Sequence, residues 1–229
     1  DLVRSRGLGD VYKRQDEALA RAAALLDDGR QTWGRQEITG FCEMLLIRRG
    51  RSDEAYRRFG LPTATGNTWI ATWRDLVKRY PDLDPRRILE DLIALHDRRG
   101  KWFAAAKTAG YLDIALDCAK DSEAAPATLI RAARDFARKE PAFAVGVALC
   151  AIGHLIAGRG YDADPHDIDE AMEHLVAASG GAGSIDLRLK ELNKILEDGR
   201  KGDPLALRLK EKIALLEADA QGARGAPRR

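Results

Sequence analysis

Cysteine is scarce in this chain, and the three that occur are unsuited to a disulfide framework. Cys42, Cys118 and Cys150 are odd in number, lie far apart and stand among small or apolar residues. Small secreted domains held by disulfides need paired cysteines. The three thiols are therefore expected to be small core residues of a reduced, cytoplasmic protein.

Long hydrophobic runs are also missing. The most apolar stretch, residues 143–157, is interrupted by Gly146, Gly153 and His154, whereas a membrane-spanning helix needs roughly 18 consecutive apolar residues. Residues 1–15 lack the apolar centre and the small-residue cleavage site of a signal peptide. The sequence predicts a buried helix over 142–157 and no membrane partner.

Neither sign of charge is in excess. The 229 residues carry 38 Lys and Arg against 36 Asp and Glu, and the net charge of +2 resides entirely in residues 1–15. A strongly basic balance is the usual sign of a nucleic-acid-binding protein. A nucleic-acid partner is therefore not expected from bulk charge.

Residues 1–15, DLVRSRGLGDVYKRQ, resemble a peptide that arises when sequencing-adaptor DNA is translated at the end of a metagenomic reading frame. The resemblance implies an artefactual leader, with the protein proper beginning at Asp16. It also implies that an unknown length of upstream protein is missing. The alternative is a genuine polar leader.

Alternation of polar and apolar residues with a period of two, the sign of a half-buried strand, is absent throughout. Helical spacing is present instead, as in the apolar stripe formed by Ile38, Phe41, Cys42, Leu45 and Leu46. The sequence therefore predicts helices and almost no strand.

Three pairs of residues predict where helices begin. Asp84-Pro85 and Asp164-Pro165 place a capping aspartate before a proline in the first turn. Ser122 is expected to cap a further helix that has Pro126 in its first turns.

One turn pattern occurs twice, as Gly50-x-x-Asp53-x-Ala55 and as Gly110-x-x-Asp113-x-Ala115. Each copy follows an apolar helical stretch and opens another. Glycine is expected to end the first helix in a left-handed cap, and the aspartate to meet free N–H groups at the start of the next helix. Alanine allows the two helices to approach closely, so the pattern predicts helical hairpins.

The same spacing resembles the turn and second helix of tetratricopeptide-like repeats, and Phe59 lies where those repeats favour an aromatic residue. The preceding helices lack the matching tryptophan and glycine, and the intervening helices follow no common period. The resemblance implies an irregular α-solenoid of stacked hairpins over about residues 36–180. The stretch from Tyr56 to Leu175 also resembles helical bacterial proteins to which no activity is attached.

The predicted fold is all-α, a right-handed irregular α-solenoid of stacked helical hairpins with about ten helices and no sheet. Residues 16–180 are expected to form the solenoid. Residues 184–220 are expected to form a C-terminal helical pair, and residues 221–229 a disordered tail.

Residue patterns for catalysis or for binding a metal are weak. His166 and His174 could share one helical face, but no cysteine or HExxH pattern accompanies them. The segment from Ser179 to Ser184 lacks the lysine of a phosphate-binding loop, and no nucleophile motif occurs. The sequence predicts no catalytic residue, no metal and no cofactor.

Arginine and tryptophan supply the candidate partner-binding residues, because both are enriched at binding hot spots. Arginines surround the first hairpin turn, namely Arg48, Arg49 and Arg51, with Arg57 and Arg58 close by. The aromatic candidates are Trp69 and Trp73, four residues apart on one face, and Trp102 with Lys101 at the start of a helix. The alternatives are a solvated turn for the arginines and a packed core for the aromatics.

The sequence thus favours a non-enzymatic protein–protein interaction scaffold in a bacterial cytoplasm, the C-terminal part of a longer protein. Its expected partner is a protein or peptide, while its oligomeric state is left open. A nucleic-acid-associated module using the arginine-lined turn is the first alternative. A helical appendage of an enzyme whose catalytic domain lies upstream is the second.

Overall fold

The computed structural model describes residues 14, 16–26, 34–180, 182–200 and 202–225. Within them, twelve α-helices and no strand are found, and the structure is 76% helical. The prediction of an all-α fold is confirmed. The expected number of about ten helices is too low, because short helices such as the four-residue one after Gly50 are separate elements.

Two compact units make up the chain, the first ending at Leu95 and the second beginning at His96. The helices of the first unit are α1 (16–26), α2 (Arg35–Arg48), α3 (Ser52–Ala55), α4 (Trp69–Arg79) and α5 (Pro85–Leu95). A π-helical turn, Tyr56–Gly60, continues α3.

The second unit opens with a 3₁₀ turn, Arg99–Trp102. Its helices are α6 (Phe103–Ala109), α7 (Leu112–Ala119), α8 (Pro126–Phe136), α9 (Pro141–Ile156), α10 (Pro165–Ser179), α11 (Ala182–Glu197) and α12 (Pro204–Gly225).

The two predicted glycine turns are confirmed in atomic detail. Gly50 has φ of 71° and Gly110 has φ of 88°, both in the left-handed region that favours glycine. At each turn the glycine N–H and the next N–H donate to carbonyls of the preceding helix, as in Arg51 N to Leu46 O at 2.9 Å and Tyr111 N to Ala106 O at 3.1 Å. This double bond pattern is the Schellman cap.

The alanines of the pattern behave as predicted. Ala55 and Ala115 are completely buried, and Asp53 and Asp113 lie in the first turns of α3 and α7. The small side chain leaves room for the preceding helix, since α2 packs on α3 and α6 packs on α7.

Two of the three predicted helix starts are confirmed. Asp164 forms a capping box with Asp167, and Asp84 Oδ1 accepts a hydrogen bond from Arg86 N at 3.0 Å. Ser122 does not cap a helix, because α8 begins at Pro126 after Ala125. The residues before Pro126 form a turn in which the Asp121 side chain bonds Glu123 N instead.

The core of the second unit is built around α9, which packs against α7, α8, α10, α11 and α12. Its side chains are apolar on every side, which suits a helix enclosed by neighbours. Phe143 stacks on Phe103 with ring centres 6.5 Å apart and meets Phe136 edge-on at 5.2 Å. The predicted buried helix over 142–157 is thereby confirmed. In the described residues, each helix is too short or too polar to cross a bilayer.

Three predicted boundaries differ from the structure or lie outside it. Of the predicted leader 1–15, only residue 14 is described. The division between units at Leu95 does not coincide with the predicted one near 180–184. Helix α12 continues to Gly225, beyond the predicted start of the tail at 221, and residues 226–229 lie outside the described part.

Candidate functional site

A groove made of two adjoining depressions lies in the first unit, lined by residues of α1, α2, α4 and the loop that follows the π-helical turn. It consists of a larger depression of about 830 Å³ and a smaller one of about 300 Å³. Arg35, Thr39 and Thr63 line both depressions. Each volume lies within the range of about 300–1,000 Å³ that is typical of ligand pockets.

The polar end of the groove rests on Glu43 of α2, a side chain that is nine-tenths buried. Tyr80 Oη donates a hydrogen bond to Glu43 Oε1, and Arg79 Nη1 donates to the same oxygen at 3.1 Å. Arg79 also pairs with Asp75 one turn earlier on α4. A buried carboxylate is stable only with such partners, so Glu43 joins α2 to α4.

Burial and the neighbouring Glu43 carboxylate both raise the pKa of the Tyr80 hydroxyl. The phenol is therefore neutral and acts as a hydrogen-bond donor. Burial lowers the pKa of Arg79, but the hydrogen bonds and negative charges of Glu43 and Asp75 outweigh that effect and raise the pKa overall. This end of the groove consequently holds one bound carboxylate and one permanent cation.

A second buried tyrosine, Tyr56, also donates its hydroxyl proton to a carboxylate. Tyr56 is completely buried and meets Tyr80 edge-on, with ring centres 5.3 Å apart. Its hydroxyl donates to Asp91 Oδ2 at 3.0 Å, and Arg87 bonds Asp53 at 2.9 Å. These pairs link α3 and the π-helical turn to α5, and Arg87 Nε lies 3.6 Å from Asp91 Oδ2, so the four side chains form one polar network.

Hydroxyl groups line the middle of the groove. Thr39 Oγ1 donates to the Arg35 carbonyl at 2.8 Å, and Thr63 Oγ1 donates to the Phe59 carbonyl at 2.6 Å. Each hydroxyl therefore donates its proton to a carbonyl of this chain, and the lone pairs of its oxygen can accept a hydrogen bond from a ligand. Gly40, one residue beyond Thr39, lines the groove without a side chain.

The smaller depression adds apolar side chains to Arg58 and to the three residues that it shares with the larger depression. Ala23 and Leu26 of α1 face Phe59 and Pro62 across the smaller depression. Phe59 is buried, while Leu26 is half-buried and Pro62 is exposed. An apolar side chain entering this depression would lose contact with water on several sides.

Positive charge predominates along the lining. Among the described lining residues, the basic ones are Arg35, Arg58 and Arg79, and the one acidic residue is Glu43. Arg58 is paired with Glu54 at 3.0 Å, and Arg79 is paired with Glu43. Among the described residues no acidic side chain forms an ion pair with Arg35, which is exposed.

None of the seven predicted partner-binding residues lines this groove. Trp73 is half-buried and donates its indole N–H to the Pro85 carbonyl at 2.9 Å, joining α4 to α5. Trp69 is likewise half-buried at the start of α4. As partner contacts, Trp69 and Trp73 stay predictions.

The other predicted aromatic site belongs to the second unit. Trp102 is 0% exposed and stacks on His96 at 5.9 Å, so it has no surface to offer a partner. Lys101 is exposed and lies 3.6 Å from Glu123. Trp102 is therefore a core residue, which was the alternative to a partner-binding role, and of this pair only Lys101 is accessible.

The arginines of the first turn divide into paired and accessible side chains. Arg49 pairs with Asp16 of α1, and Arg51 bonds Glu54 at 2.8 Å. Arg48 is exposed on α2.

Phe41 and Met44, neighbours of Arg48 on the same helical face, are 46% and 41% exposed. Phe41 is exposed although it belongs to the predicted apolar stripe, because its angular position lies at the edge of the face formed by Cys42, Leu45 and Leu46. Exposure of a phenylalanine and a methionine could not be read from the helical spacing alone.

Two thiols and one histidine of the second unit are either desolvated or engaged in hydrogen bonds. Burial raises the pKa of Cys118 to about 11 and also raises the pKa of Cys150. His154 Nε2 donates to the Ala119 carbonyl at 2.8 Å, which leaves Nδ1 to accept from Arg159 Nη1 at 3.2 Å. In the described residues no group of three or more His, Cys, Asp and Glu side chains could hold a metal ion.

No family model, curated protein or solved structure matches this chain.

Proposed function

We propose that this protein is a non-enzymatic protein–protein interaction module that binds a segment of a partner protein in the groove of its first unit. The observation that carries the proposal is that two depressions adjoin and share Arg35, Thr39 and Thr63. Their lining combines apolar and polar side chains, so the groove offers both hydrophobic burial and directional bonds to the same ligand.

The chemistry of the side chains supports binding rather than catalysis. A nucleophile needs a lowered pKa or a free base beside it, whereas burial raises the pKa of all three thiols. Both ring nitrogens of His154 are engaged. In the groove, Glu43 accepts hydrogen bonds from Tyr80 and Arg79, which supports a structural role for this carboxylate.

Two finer sequence predictions remain part of the proposal. Helical hairpins at Gly50 and Gly110 support an irregular α-solenoid, which a crystal structure with successive hairpins stacked in one direction would establish and a closed bundle would contradict. Three free cysteines support a cytoplasmic location, which fractionation of the producing cell tests.

The proposed binding is tested by panning a random dodecapeptide phage library against the full chain. Gly40→Phe fills the groove, and nothing lies within 4 Å of the position where its Cβ would stand. Ala104→Phe, on the exposed face of α6 in the second unit, is the matched control. Enriched peptides are expected to bind the wild type and Ala104→Phe alike and to bind Gly40→Phe about tenfold more weakly or worse.

Equal circular dichroism spectra and unfolding midpoints would show that both variants keep the fold. A library that yields no enriched peptide would contradict the proposal. So would peptides whose affinity is the same for Gly40→Phe as for the wild type.

A further inference from the structure

We infer that the groove of the first unit selects an extended acidic segment, with a carboxylate of the partner at Arg35 and an apolar side chain of the partner between Leu26, Phe59 and Pro62. This inference rests on the proposed function and names the class of its partner. It follows from three features of the groove that point to the same ligand.

The first feature is the charge balance. The described residues that line the groove include three arginines and one glutamate, and that glutamate is already bound by Tyr80 and Arg79. Arg58 and Arg79 have acidic partners of their own, whereas Arg35 forms no ion pair with any described residue and is exposed. A guanidinium in this position provides a two-pronged donor for an incoming carboxylate.

The second feature is the supply of acceptors for a peptide backbone. The hydroxyl protons of Thr39 and Thr63 are donated to carbonyls of this chain, so each oxygen is left to accept. An extended segment presents backbone N–H groups to both sides of its path. Gly40 lets the backbone of such a segment approach α2 closely, since no side chain occupies the space there.

The third feature is the order of the two depressions. The apolar side chains of the smaller depression adjoin Arg35, which lines both depressions. A ligand that fills both depressions therefore has an apolar group and an acidic group close together along its length. A partner segment that alternates or pairs Leu-type and Asp-type residues meets this requirement.

Nucleic acid is the competing polyanion, and the groove disfavours it. Base stacking needs exposed aromatic faces along the path of the strand, but Phe59, the one aromatic residue among the described lining residues, is buried. The acidic side chains Glu54 and Asp75, paired with Arg58 and Arg79, also lie beside the groove. Repulsion from them weakens a continuous phosphate backbone more than a single carboxylate.

The test uses the peptides enriched on the full chain that lose affinity for Gly40→Phe. Each is synthesised with a fluorescein label in three forms: as selected, with Asp and Glu replaced by Asn and Gln, and with Asp and Glu replaced by Lys. Fluorescence anisotropy is measured on the wild type, on Arg35→Glu and on Arg74→Glu. Arg74 is an exposed arginine of α4 outside the groove, which makes it the matched control.

We expect the amide form to bind the wild type about tenfold more weakly than the selected acidic form. Arg35→Glu should weaken the acidic form by a similar factor and strengthen the lysine form, whereas Arg74→Glu should change each by less than about twofold. Recovery of affinity by the reversed charge pair requires direct contact, which a loss of folding would not produce.

Three outcomes overturn the inference. Groove-dependent peptides that are neutral or basic would leave the binding function intact and remove its acidic specificity. Equal effects of Arg35→Glu and Arg74→Glu would show only a general field effect. Displacement of the acidic peptides by a 20-nucleotide oligo(dT) at equal or lower concentration, about 20 phosphates in length, would assign the groove to nucleic acid instead.

Discussion

Two buried polar side chains, Tyr80 and His154, are hydrogen-bonded in a way that favours their neutral forms. Tyr80 is 1% exposed and donates to Glu43, a residue 37 positions earlier. His154 is 5% exposed, with one ring nitrogen donating to Ala119 and the other accepting from Arg159. Buried polar groups are stable when each bonding site is used, and these two side chains meet that condition in the neutral form.

We expect the free energy of unfolding to decrease as the pH falls below 6.5, the usual pKa of histidine. Burial lowers the pKa of His154 in the folded protein, and the charge of Arg159 lowers it further, although Ala119 and Asp121 oppose this. The unfolded chain therefore binds a proton at a higher pH than the folded chain. Stability contributed by neutral His154 is present above 6.5 and is lost as the pH falls through the lower folded pKa.

Urea denaturation at several values between about pH 5 and pH 8 measures this effect. In His154→Gln the slope of stability against pH should be smaller than in the wild type. His166→Gln, which replaces an exposed histidine, is the matched control. The same slope in His154→Gln and the wild type would show that His154 does not titrate in this way.

At the scale of single elements, the helices and their turns follow local physics. Glycine at 50 and 110 ends a helix because the left-handed conformation costs a residue with a side chain roughly 1–2 kcal/mol, and the six-residue pattern carries this information. The failure at Ser122 has a local cause too. Asp121 offers its carboxylate to Glu123 N and holds a turn, so α8 begins only at Pro126.

Replacement of Gly110 measures the left-handed cap directly. Gly110→Ala should lower the free energy of unfolding by about 1 kcal/mol, because the space around the added Cβ is open and only backbone strain remains. Gly110→Asn should cost less, since asparagine tolerates positive φ.

Gly153→Ala is the matched control for the glycine replacement. Gly153 lies within α9, has no atom within 4 Å of an added Cβ and does not have a positive φ. Gly153→Ala should raise the free energy of unfolding by about 0.5–1 kcal/mol, because alanine favours the helix. Chemical denaturation followed at 222 nm compares the three variants, and a stabilising Gly110→Ala would refute the role of the cap.

At the scale of the whole chain, the division into two units follows from contacts between distant helices. In the second unit α9 packs on α8 and α10, and α10 packs on both α8 and α12. Composition and loop signals placed the boundary near 180–184, where glycines are frequent. The actual division at Leu95 has no comparable sequence signal, because it depends on which helix faces meet.

We expect a fragment of residues 96–229 to fold alone. Its single tryptophan, Trp102, is completely buried in the unit, so its fluorescence reports the core. The fragment should show helical circular dichroism, blue-shifted Trp102 emission and one cooperative urea transition. A fragment of residues 96–160, which lacks α10, should show red-shifted emission because the packing on α8 and α9 is incomplete.

Red-shifted Trp102 emission in the 96–229 fragment would contradict the independence of the second unit. Retention of the folded signal in the 96–160 fragment would show that α10 is dispensable for the core.

The sequence by itself determined the all-α class, the glycine turns, the capped starts at Asp84 and Asp164 and the buried helix around 142–157. These features depend on residues within about one helical turn of each other, so they can be predicted from the order of residues in the sequence. Only the tertiary structure decided that Trp102 is core, that Phe41 and Met44 are exposed, and that the groove lies at Arg35, Thr39 and Thr63. The reason is physical: burial and groove shape arise from residues far apart in the chain, as with Glu43 and Tyr80, whose meeting no local pattern encodes.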